Sequence, residues 1–143
     1  MDSMFNVLDI SASGLTAERV RMDIIANNIA NANTTLSVNG EPYKRKSVIL
    51  ASKTDTSFSM DLQENIKNMG VEVIKIVDDM APPKLKYDPS DPNADADGFI
   101  RLPNVNVLNE MVDMISATRS YEANVTAIES TKSIIKSTFE IIK

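Results

Sequence analysis

An α+β fold is predicted, with long N- and C-terminal α-helices forming a coiled-coil-like helical domain around a small β-rich central insert. Three observations predict it. Met1, Phe5, Leu8, Ala12, Leu15, Met22, Ala26 and Ile29 recur at alternating four- and three-residue spacing, broken only by Arg19. Val107, Met111, Met114, Tyr121, Val125, Ile128, Ile135, Phe139 and Ile142 repeat that spacing near the other end, broken by Thr118 and Lys132. All six prolines lie between Pro42 and Pro103, so neither stripe is interrupted. Such spacing runs one apolar seam along a helix and asks for a partner helix. The helical assembly domain is therefore drawn over residues 1–35 and 104–143, and the β-rich segment over 36–103.

The first helix starts where Asp2 or Ser3 can cap it. It spans about 30 residues, or about 45 Å at 1.5 Å per residue. Gly14 inside it costs about 1 kcal/mol relative to alanine; it is either a mild weakness or a point of close approach by another helix. The helix fades at Asn31–Thr35, where short polar side chains compete for the backbone. Asn39-Gly40, beside Pro42, marks a turn. Tyr43–Leu50 reads as a strand, with the basic run Lys44-Arg45-Lys46 on a solvated face. Residues 53–69 read as a loop with a short helix near Met60–Met69. The clearest strand follows Gly70, over Val71–Val77. Its alternation changes phase between Val73 and Ile74, as at a bulge. Pro82-Pro83 force an extended segment, and residues 84–103 are rich in turns. Asn104 or Asn106 can cap the last helix, whose positive end suits Glu110 and Asp113. That helix spans about 37 residues, or about 55 Å.

Two helices of this length exceed a compact globule of this size, whose radius of gyration is about 14 Å. They can pair with each other for part of their span, and the surplus seam then needs other chains. Each stripe side chain gains about 1.5–3 kcal/mol on full burial. The simpler alternative is a long hairpin satisfied within one chain.

Composition removes several function classes. The net charge is −5 with no strongly basic segment, which argues against tracking a phosphate backbone. Cysteine and histidine are absent, which excludes thiol nucleophiles, disulfides, imidazole bases and the usual zinc ligand sets. No stretch approaches 18 apolar residues, so no membrane insertion is expected. No basic region followed by an apolar run opens the chain, so no cleaved signal peptide is expected. Asp2, Asp9, Glu18, Arg19, Arg21 and Asp23 give the first helix the wrong charges for a membrane surface. Asn93, Asp95, Asp97, Gly98 and Ile100 imitate part of a calcium loop, but position 12 is Asn104 rather than a bidentate Glu. A tight Asp95-Ala96-Asp97-Gly98 turn is the better reading. The carboxylates Asp78 and Asp79 read as solvated strand ends. With no phosphate loop and no nucleophile motif, neither an enzyme nor a cofactor is expected.

The asparagines Asn27, Asn28, Asn31 and Asn33 are costly at a buried seam. They are either a fraying helix end or a polar mark whose amides must find partners and so fix helix register.

In this segment the chain resembles the bacterial flagellar rod and hook family of axial proteins. Asp9–Arg19 precedes the asparagines and Glu41–Lys46 follows. Gly70–Val73, Tyr87–Pro89, Asp95–Phe99 and Leu102–Asn106 extend the likeness, and Glu110–Ile115 with Arg119–Val125 complete it. The likeness covers nearly the whole chain apart from about residues 53–69. It departs at Asp91, where the family often has His, and is loose over Ser137–Lys143.

The resemblance implies a structural subunit of the flagellar basal body, exported unfolded without a cleaved signal and assembled into a helical tube in the cell envelope. The tube transmits torque and encloses part of the export channel. Implied partners are further copies of the chain, other rod proteins, rod-base and MS-ring components, and the flagellar type III export apparatus. The helical seams would supply the subunit interface through Phe5, Leu8, Ala12, Leu15, Met22, Ala26 and Ile29 on one helix. Met111, Met114, Tyr121, Val125, Ile128, Ile135 and Phe139 serve on the other. Asn27, Asn28, Asn31, Arg119 and Asn124 would set register. The competing readings are a soluble coiled-coil adaptor with a small β insert, and a calcium-stabilised module.

Overall fold

The computed structural model describes residues 2–35, 41–54 and 68–141. Two helices, α1 (Asp2–Ala30) and α2 (Val107–Ile141), flank β1 (Lys46–Thr54), β2 (Asn68–Asp78), β3 (Lys84–Tyr87) and β4 (Phe99–Leu102). The fold is α+β with long terminal helices, as predicted. At 29 and 35 residues the helices are about 44 and 53 Å long. The predicted Asn39-Gly40 turn, most of the helix expected near Met60–Met69 and the capping side chains of Asp2 and Ser3 lie outside what is described. Asn68 and Met69 belong to β2.

The helices pair antiparallel within one chain. Asn28 bonds Glu110, the Thr118 hydroxyl donates to the Met22 sulfur at 3.6 Å, and Gly14 faces Asn124. Going down α1 thus means going up α2.

The most buried positions lie beside the predicted seam, while Met22 of that seam takes part in the contact. Ser11, Ala17, Ile25, Asn28 and Ala32 are buried in the first helical segment, and Glu110, Ala117 and Thr131 in the second. Apart from Ile25 these residues are small or polar. Along α1 the buried face, Ser11-Gly14-Ile25-Asn28, is turned by about one residue, or ~100°, from the Phe5–Ile29 stripe. Small side chains let the two backbones approach, whereas the stripe residues would hold them apart. At Gly14 an added Cβ would lie 2.9 Å from Asn124 Nδ2, so this glycine is a point of close approach, made by a side chain rather than a backbone.

β1 and β2 form an antiparallel hairpin on α1. Ile49 pairs with Lys75 and Leu50 with Val73, which leaves Ile74 as the extra residue where the alternation changed phase. The observed β1 begins three residues later than the Tyr43 start predicted and runs on to Thr54. Tyr43, Lys44 and Arg45 precede the strand. β2 meets α1 at Gly70, whose φ of 106° suits glycine and whose missing side chain makes room for Ser13. The Ser13 hydroxyl then accepts the Val71 N–H at 3.0 Å and donates to the Ile10 carbonyl at 2.7 Å.

β3 and β4 form a second antiparallel pair with Tyr87 opposite Phe99, their rings edge to face at 5.3 Å. The turn before β4 closes through Gly98 N–H to the Asp95 carbonyl, 2.8 Å, and Asp95 N–H to the Phe99 carbonyl, 2.9 Å. Asp95 Oδ2 stands 3.8 Å from Arg101 Nε. Ile100 turns inward, and Lys84 Nζ donates to the Val105 carbonyl at 2.7 Å, tying the pair to the linker before α2. Asn106 caps α2 by accepting the Leu108 N–H at 3.1 Å.

Candidate functional site

The described surface has two features with functional content: a buried polar junction where the insert joins the helices, and the apolar helix faces pointing outward.

Asn28 is the centre of the junction. Its side chain is 1% exposed, so each polar atom needs a partner. Nδ2 donates to the Lys46 carbonyl at 2.8 Å and to Glu110 Oε2 at 3.0 Å. Oδ1 accepts the Lys46 N–H and the Tyr43 hydroxyl, both at 2.9 Å. Two donors and two lone pairs are thereby used, and the backbone of Lys46 fixes which way the amide points. One side chain of α1 thus sets where β1 starts and where α2 starts.

Glu110 is the second member. It is fully buried, and its Oε1 meets Arg45 Nε at 2.7 Å, within the range of a charge-assisted bond. Arg45 also donates to Ser47 Oγ at 2.9 Å. Its own N–H goes to Asn104 Oδ1 at 3.1 Å, and its carbonyl accepts the Asp79 N–H at 2.7 Å. Asn104 therefore serves the junction while Asn106 does the capping. The Lys44-Arg45-Lys46 run, expected on a solvated face, contributes the central cation instead: burying Glu110 requires a partner charge, and the bend before β1 brings Arg45 to it. Nor is Asp79 a free strand end; its Oδ2 is 4.0 Å from Arg45, and Asp78 Oδ1 is 3.2 Å from Lys46 Nζ. Around this core the contacts loosen. Asp113 is 3.9 Å from Arg45 and 3.8 Å from Arg21, and Glu18 Oε2 is buried with no hydrogen-bond partner among the described residues. Arg21, Arg45, Glu110 and Asp113 border a cleft of about 320 Å³ whose apolar wall is Ile24, Ile25, Val48 and Leu50. Tyr43 at the edge has its pKa raised, first by burial and then by the charges of Asp78 and Glu110.

Of the residues expected to set register, Asn28 alone among the asparagines bonds other elements through its side chain to a degree that fixes them. Asn27 and Asn31 donate to carbonyls of their own helix, at Asp23 and Asn27. Asn124 donates to the Ser120 carbonyl while lying against Gly14. Arg119 is exposed and makes no ion pair with a described residue.

The expected interface residues divide by exposure. Phe5, Ala12, Ala26, Met111 and Phe139 are exposed; Leu8, Leu15, Met22, Ile29, Met114, Tyr121, Val125, Ile128 and Ile135 are half-buried along the flank of the hairpin. A second apolar face was missed. Leu108, Val112 and Ile115 are 70%, 66% and 57% exposed and point away from α1, with Met111 beside them at 44%. Val107 and Met114 widen this apolar face, and Asn109, Glu110, Asp113 and Ser116 form the polar remainder of the first three turns of α2. The signal was in the sequence as Leu108-x-x-x-Val112-x-x-Ile115, a second run at helical spacing hidden by the first. No helix among the described residues is long and apolar enough to cross a membrane.

Comparisons with known proteins bear on both features. Residues 8–35 match the family model described as "Flagella basal body rod protein". Residues 96–141 match "Flagellar basal body rod FlgEFG protein C-terminal". All of α2 and α1 from Leu8 onward, with Asn28 and Glu110, fall inside these segments. The flagellar basal-body rod protein FlgC of Bacillus subtilis is 49% identical, covering 97% of this chain and 98% of that protein. The FlgC proteins of Borreliella burgdorferi and Aquifex aeolicus are 43% and 41% identical, covering 98% and 100% of both chains respectively.

Proposed function

This chain belongs to the FlgC family of flagellar basal-body rod proteins, and from that premise we propose that it builds its share of the rod through the apolar helix faces its own fold leaves uncovered. It is a structural subunit of the bacterial flagellar basal body. The carrying observation is the division between faces: the hairpin closes mainly through small and polar residues with Ile25, while Phe5, Leu108, Val112, Ile115 and Phe139 stay at the surface. Each such side chain contributes about 1.5–3 kcal/mol when another chain covers it. Exposed apolar area on this scale marks an interaction surface. Its partners in this reading are further copies, other rod proteins and the rod base with its MS ring, reached through the flagellar type III export apparatus. Torque passes through many such contacts, and the helices line the channel. No catalytic step is assigned.

The test is a Leu108→Ser/Ile115→Ser double variant. Both positions are exposed, so the purified variant should keep the helical circular dichroism and melting behaviour of the parent. Cells carrying it should be non-motile, with the chain missing from isolated basal bodies. Normal motility with normal incorporation would contradict the assignment of this face.

A further inference from the structure

Resting on the rod reading, we propose that neighbouring copies meet side by side, the outer face of α2 from one copy packing antiparallel against the outer face of α1 of the next. Both faces lie opposite the hairpin's internal contact. On α2 the outer face carries Leu108, Met111, Val112 and Ile115, followed a turn later by Arg119 and Glu122, all exposed. On α1 it carries Arg19, Asp23, Ala26 and Ala30, also all exposed. Arg19, Asp23, Arg119 and Glu122 make no ion pair with any described residue of their own chain.

Charge and volume fit in one antiparallel register. With Arg19 opposite Glu122, Asp23 falls opposite Arg119, because four residues on one helix and three on the other both span about one turn. Continuing in that register brings Ile115 over Ala26 and the Met111–Val112 pair over Ala30. Large side chains then meet small ones, as knobs meet holes. The reverse match, α2 outer face on α2 outer face, would set the large aliphatic side chains against one another instead of against small ones. The contact is heterologous, since different surfaces meet, and so it repeats from copy to copy instead of closing as a dimer. The outer face of α1 interrupts its apolar stripe with Arg19, which in this arrangement meets Glu122.

The sequence contains no cysteine, so an introduced pair reports on one contact alone. In cells expressing an Arg19→Cys/Glu122→Cys chain, mild oxidation of isolated basal bodies should give a ladder of multimers on a non-reducing gel. The two positions lie on opposite sides of one hairpin and cannot join within a chain. Each single variant, and an out-of-register Asp9→Cys/Glu122→Cys chain, should give none. In parallel, Arg19→Glu should lower incorporation about tenfold, and adding Glu122→Arg should restore it. Incorporated double-cysteine chains that stay monomeric, or a charge swap that restores nothing, would overturn the proposal. Absence of the parent chain from basal bodies would instead overturn the rod reading on which it rests.

Discussion

At Asn28 one amide satisfies all its hydrogen bonds with Tyr43, Lys46 and Glu110, which lie in two segments far apart in the chain. Replacing it by Leu leaves the Lys46 backbone pair and one Glu110 oxygen without partners in a buried place. A loss of about 2–4 kcal/mol in urea unfolding is expected. Glu110→Ala removes the closest partner of the Arg45 guanidinium and should cost about 3 kcal/mol, whereas Arg45→Met/Glu110→Leu should recover most of that loss. Equal losses for the single and double variants would show that the pair does not act as a unit. Tyr43 gives a pH signature. Folding raises its pKa, so the folded state holds the phenol proton more tightly than the unfolded chain does. Its contribution is full below the ordinary phenol value of about 10 and is lost as pH rises through the higher folded value. Stability of the parent should therefore fall faster above about pH 10 than that of Tyr43→Phe. Identical alkaline limbs would remove Tyr43 from the junction. None of these partnerships shows in the sequence: a buried Asn or Glu is visible there only as a residue out of place on a helix.

At the scale of elements, much was legible. The helices follow from their stripes, and Ile74 bulges where the β2 alternation changes phase. What a single stripe did not show is that the most buried positions fall on the face beside it, while most stripe residues stay half-buried along the flank. The hairpin uses the neighbouring face because Gly14, Ala17 and Ala117 allow closer approach, and such residues leave little trace in a hydrophobic pattern. The Lys44–Lys46 run misled for a related reason: three cations in a row look solvated until a buried Glu110 claims the middle one. Gly14 offers a test of close approach. Alone, Gly14→Ala gains about 1 kcal/mol of helix propensity but crowds Asn124, so its net effect should be small or unfavourable. In an Asn124→Ala background the same change should stabilise by about 1 kcal/mol in thermal melts. A full gain without the second change would mean that Asn124 does not pack there.

For the whole molecule, we propose that one set of faces holds a chain together and another holds chains to each other. The junction locks the insert to α1 and α2, and a seam made mostly of small residues closes the helices; Leu108, Val112, Ile115, Phe5 and Phe139 are left exposed. The insert end of the hairpin is supported by both strands of the first sheet, while the far ends, near Phe5 and Phe139, have little behind them. The most direct test is amide hydrogen exchange on the dilute purified chain and on the same chain in isolated basal bodies. Division of faces predicts slow exchange around residues 24–32, 43–50, 70–79 and 107–118 in the dilute chain. It predicts fast exchange toward residues 5–10 and 132–141, and slow exchange over the full length of both helices once assembled. Full-length protection in dilute solution, within a small closed oligomer, would mean that the apolar faces are already covered and would contradict the assignment of those faces to the rod.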